Sequence, residues 1–142
     1  MTITQIQPNI EITARAAIEA ARALQTALEE SPLDLQPDAP RIRAMLEALR
    51  AGQLYRDREE ATLDLLQTRV LDALTARAPG YRDIALHCDT DEYAFLDPEL
   101  EAIRGLWEQL RRFRQLRQSV LDQLTAERQV SALRRRSLST NS

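Results

Sequence analysis

Asp97-Pro98-Glu99 is a helix start, and apart from Gly105 nothing after it stops a helix before about Arg136. Asp97 reads as an N-cap and Pro98 as the first helical residue, with Glu99 well placed against the helix dipole. At 1.5 Å per residue such a helix runs roughly 55–60 Å, longer than a globular domain usually takes from one element. A helix of this length cannot bury its own apolar stripe. The rest of the chain must lie along it, or a partner must.

What remains to cover it is also helical. Leu, Ala, Arg, Glu and Gln, all strong helix formers, dominate the 142 residues. Three glycines and 4% aromatics are too few for the turns and strand faces of a β design. A hydrophobic content of 44% is enough for a buried core. The expected fold is all-α: an elongated bundle or hairpin of three to four helices with coiled-coil-like packing. The helices are expected at about 8–30, 40–51, 53–78 and 98–136, making one domain over residues 1–136 and a disordered tail at 137–142. Cys88 is the only cysteine, which excludes an internal disulfide. The first residues, Met1-Thr-Ile-Thr-Gln-Ile-Gln-Pro, lack the basic and apolar regions of a signal peptide. No apolar run reaches the roughly 20 residues of a spanning helix. A cytoplasmic location is the expectation.

Within the first helix, Ile10, Ala14, Ala17, Ala21, Leu24 and Leu28 recur at alternating spacings of four and three, a seam whose alanines admit a close neighbour. Ser31-Pro32 ends it. Asp38-Ala39-Pro40 opens the second helix, with Ile42, Met45, Leu46 and Leu49 as its stripe. Gly52 is a cap or a weak point, and little turn chemistry follows it, so near-continuity into the third helix is expected. That helix shows two apolar faces, Leu63, Leu66, Val70 and Leu74 on one and Leu54, Ala61 and Leu65 on the other. Such a pattern predicts neighbours on both sides. Ala78-Pro79-Gly80 stops it. A short turn of helix is expected over Tyr81–His87, before an acidic break.

Charge sharpens the picture of the last helix. All nineteen basic residues are arginine. Nine of them fall between Arg104 and Arg136 against three acids, while the preceding residues hold ten against nineteen. An acidic body joined to a basic helix implies self-docking or a basic surface awaiting a partner. Arg114, Arg117 and Arg128 share a face with the apolar stripe. One reading packs their stems and sends the guanidinium groups to Glu47, Glu59, Glu60 or Asp64. The other leaves the face open, with Leu106, Trp107, Leu110, Phe113, Arg114, Arg117, Leu121 and Leu124 as the partner-binding residues.

Catalytic chemistry has no evident carrier. His87, Cys88, Asp89, Asp91 and Glu92 include metal-ligand types, but no second His or Cys exists to converge on them. Adjacent His and Cys side chains rarely face each other as a nucleophile pair must. No metal, cofactor or catalytic residue is expected. A pI near 5.3 and the lack of a DNA- or RNA-binding signature argue against nucleic acid. The arginine-interrupted apolar face argues against a membrane surface.

The order of parts is suggestive. An amphipathic first helix precedes Met45-Leu46-Glu47-Ala48-Leu49-Arg50-Ala51-Gly52, an acid/arginine helix, a break, and Leu106-Trp107-Glu108-Gln109-Leu110 leading a long helix. Over about residues 10–130 this pattern resembles the small helical export chaperones of flagellar and type III secretion systems. The resemblance implies a non-enzymatic chaperone that holds the amphipathic helix of a secreted subunit and delivers it to an export apparatus. From the residues themselves the expected function is a chaperone or adaptor, with a homodimer as one way to cover the long seam. A structural subunit of a secretion or phage-type assembly, or a nucleic-acid-associated helical factor, are the alternatives.

Overall fold

The computed structural model describes residues 2–53, 57–88, 90 and 94–140, with backbone alone for residues 2–9, 57–58 and 137–140. The described residues are all-α: helix α1 (Thr2–Glu30), α2 (Ala39–Arg50), α3 (Asp57–Arg77), the short α4 (Tyr81–His87) and α5 (Pro98–Thr140). At 43 residues α5 is about 65 Å long.

The α1 seam is buried as its spacing predicts. Ala17, Ala21 and Leu24 are fully enclosed, and Ala14 and Leu28 pack at the edge. Alanine at these positions brings the helix backbones close, and α1 makes its most extensive contact with α5. Ile42, Met45, Leu46 and Leu49 bring α2 onto the same core, and Leu63, Leu66, Val70 and Leu74 bring α3. The long helices alternate in direction. Arg50 at the end of α2 meets Gln25 of α1, and Arg69 of α3 meets Asp38 just before α2. Arg77 at the end of α3 meets Glu99 at the start of α5. Thr13 of α1 lies against Gln123 far along α5.

Several boundaries depart from the sequence expectation. Helix α1 begins at Thr2, so Pro8 stands inside it and leaves the Thr4 carbonyl without an N–H from four residues on. Helix α5 continues past Arg136 to Thr140, because Ser137-Leu-Ser-Thr contains no breaker; Asn141 and Ser142 lie outside the described residues. Near-continuity of α2 into α3 is ruled out at Gly52. There φ is +92°, the Gly52 N–H bonds the Leu49 carbonyl and the Gln53 N–H bonds the Ala48 carbonyl. That pair of bonds is a Schellman stop, which closes α2 at Arg50. The second apolar face of α3 has no covering helix among the described residues. Ala61 is exposed and Leu65 half-buried, so α3 flanks the bundle instead of running through its centre, and Leu54 lies outside the described residues.

The two helix starts differ. Asp97 caps α5 by accepting the Glu99 N–H at 3.1 Å. Asp38 at the start of α2 makes no side-chain cap and turns its carboxylate to Arg69 at 2.7 Å.

An L-residue at position 52 must hold the left-handed conformation, at about 1–2 kcal/mol. Gly52→Ala is expected to lower unfolding free energy by that amount in urea titration, with the m-value unchanged.

Candidate interaction surface

The proximal half of α5 faces inward. Leu106, Trp107, Leu110 and Phe113 lie at 0–1% exposure within the core. Trp107 donates its indole N–H to the Ala85 carbonyl at 3.2 Å, which fixes α4 against α5. These four of the eight expected partner-binding residues are enclosed by the chain's own helices.

Arg114 and Arg117 stand one turn apart on the side of α5 that meets α3. Arg114 donates to Glu60, Asp64 and Gln67 at 2.7–2.8 Å, and Arg117, only 2% exposed, bonds Glu60. Glu60, Asp64 and Gln67 recur at spacings of four and three along α3, so one face presents all three acceptors. Burying a guanidinium without a carboxylate costs several kcal/mol, and Glu60 removes that cost for Arg117. Of the four acids named as candidates from sequence, Glu60 and Asp64 take these bonds.

Leu121 and Leu124 are less enclosed than the four core residues and Arg117. They are half-buried, and with Arg128 they continue the line of Arg114 and Arg117 at spacings of four, three and four. Helix α3 begins at Asp57, and Glu60 is already level with Arg117. Asp57 therefore stands about level with Leu121, and the α3-facing stripe of α5 runs past α3 at Leu124 and Arg128. Among the described residues no third helix follows that line, and α1 alone accompanies α5 beyond it. Arg128, Arg134 and Arg135 are exposed there and form no ion pair among the described residues. The basic helix thus divides into a proximal part, where Arg104, Arg111, Arg114 and Arg117 are internally bonded and Arg112 faces solvent, and a distal part whose Arg128, Arg134 and Arg135 face solvent.

A second constellation was not anticipated from sequence. Glu101, Arg104, Glu108 and Arg111, at spacings of three, four and three, line one face of α5 and bind the connection from α4. Glu108 accepts the Thr90 N–H at 3.1 Å, and Arg104 donates to the Thr90 carbonyl at 2.9 Å. Glu101 accepts the Phe95 N–H at 2.6 Å and pairs with Arg104. Arg111 donates to the Cys88 carbonyl at 2.8 Å. The Tyr81 and Phe95 rings close the clasp with centroids 4.7 Å apart. The spacing itself was the available signal, since four charges on one stripe beside the apolar face imply a polar neighbour.

Arg104 beside it holds the Glu101 carboxyl below its ordinary range, while burial pushes the Tyr81 hydroxyl up. His87 and Cys88 are exposed. Among the described residues no three His, Cys, Asp or Glu side chains gather into a metal-holding group, and no helix is long and apolar enough to cross a membrane. Comparisons with protein-family models, curated proteins and solved structures give no match.

Two outcomes test this division. Arg117→Ala removes a buried side chain while Glu60, 44% exposed, keeps Arg114, and is expected to cost about 1–2 kcal/mol, chiefly in packing, whereas Arg128→Ala is expected to stay within about 0.5 kcal/mol, both by chemical denaturation. A depressed carboxyl contributes stability above its unfolded pKa and loses it as pH falls through the folded one. The stability gap between the protein and Glu101→Gln is therefore expected in full at neutral pH, closing as pH drops below about 4.5.

Proposed function

We propose that this protein is a non-enzymatic chaperone or adaptor that receives an amphipathic helix along the distal half of α5. The observation that carries the reading is the stripe of Leu121, Leu124 and Arg128, which continues a helix-packing line from the first turn of α3 to beyond it. A helix laid there takes the place that α3 holds lower down, with apolar anchors on the two leucines and acids toward Arg128 and Arg135. The order of helices that resembles flagellar and type III export chaperones supports the same reading, with the helix of a secreted or assembly subunit as the partner. A chaperone releases that helix, whereas a structural subunit keeps it, so exchange of bound partner separates the two roles.

The substitution pair Leu121→Glu/Leu124→Glu is expected to weaken partner recovery about tenfold or more while helicity by circular dichroism persists. Trp107→Ala is expected to lose helicity and partner together. Recovery is measured by pull-down from the native cell after nuclease treatment. Undiminished binding by the leucine pair would sink the reading.

A further inference from the structure

The two ends of the bundle carry complementary surfaces. At one end the last turn of α1, the connection to α2 and the first turns of α2 enclose an open cleft of about 500 Å³. Its floor includes Leu28, Leu33 and Leu35, half-buried against the core. Its walls carry Glu29, Asp34 and Glu47 against Arg43. The connection is held by its own short bonds, Leu33 N–H to Ser31 Oγ at 3.1 Å and Gln36 N–H to Asp34 Oδ1 at 3.0 Å. The Glu47 carboxylate has no partner among the described residues.

The opposite end holds the matching group. Leu133 near the end of α5 is 63% exposed, next to the exposed Arg134 and one turn from Arg136. Leu133 stands nine residues after Leu124, half a turn round the helix. It therefore lies on the face opposite the stripe assigned to the partner helix and is independent of that assignment.

We propose that the cleft receives the end of α5 from a second copy of this chain, so that copies associate head to tail. Leu133 covers the leucine floor, and Arg134 beside it meets the acids of the cleft wall. Volume supports this, since a few hundred Å³ accommodates a small group of side chains from one helix. Charge complementarity selects the occupant: an exposed leucine beside Arg134 fits an apolar floor whose wall carries three acids against one arginine. The tip of one copy meets the cleft of another, so the contact joins two different surfaces of the chain. It involves one or two turns of helix, less than the surface a stable dimer buries. Association is therefore concentration-dependent and weakens with salt.

Sedimentation velocity from micromolar to millimolar protein tests this with three variants. The full chain is expected to sediment faster as concentration rises. Leu133→Glu and the pair Glu29→Arg/Glu47→Arg, each checked for unchanged helicity, are expected to remain monomeric alone. Mixed in equal amounts, they are expected to form a dimer and stop there, because one retains a working cleft and the other a working tip. Leu121→Glu/Leu124→Glu is expected to assemble like the parent chain, which separates self-association from the partner stripe. A parent chain that stays monomeric throughout, or blocked variants that fail to pair when mixed, would overturn the proposal.

Discussion

Every other element rests on the close antiparallel approach of α1 and α5. Alanine at positions 17, 20 and 21 removes the bulk that would hold the helices apart, and all three are buried. A leucine in their place would add volume to a packed interface and push the backbones outward. Helix α2 packs along α1 and α3 along α5, and these shorter helices supply Leu46, Leu49, Leu63 and Leu66 to the common core. Because α3 has 21 residues, it covers only part of a 43-residue α5. The uncovered length follows from this mismatch.

The segregated charge acts at two distances from the core. Near Arg114 and Arg117 the helix is flanked by α3, water is partly excluded, and each guanidinium is bonded to side chains facing it from α3. The planar fork of arginine suits this task, since one group reaches several acceptors at once. Farther out, at Arg128, Arg134 and Arg135, solvent hydrates the same group and no folding constraint demands a partner. One residue type in one helix thus has two roles, decided by whether a neighbouring helix is present.

This explains what the sequence made legible. Periodicity located the α1 seam, the stripe of α2 and the buried face of α3, because those patterns depend on one helix at a time. Asp97-Pro98 located the start of α5 because a cap is local. The partition of the eight residues from Leu106 to Leu124 was not legible, since burial at Phe113 and its reduction at Leu121 depend on where α3 begins. Gly52 gave both a cap and a weak helix as readings, and its positive φ decides for the cap. The clasp formed by Glu101, Arg104, Glu108 and Arg111 was hidden for a related reason. Its partners in the connection are backbone groups of Cys88, Thr90 and Phe95, donors and acceptors alike, so the charge spacing signals a polar neighbour without naming it.

The position of the clasp bears on how the two ends can work independently. It fixes α4 and its following connection to the first turns of α5, on the side away from the distal stripe. The cleft beside α2 is built by α1 and α2, and the stripe beyond α3 is built by α5. Both ends share only the α1–α5 hairpin, and no side chain lines both the cleft and the stripe. Occupying the cleft therefore need not alter the stripe, and a helix bound at Leu121 and Leu124 leaves Leu133 on the far face. A bundle arranged in this way can carry a bound helix while it is joined to another copy, because the two contacts compete for neither surface nor core.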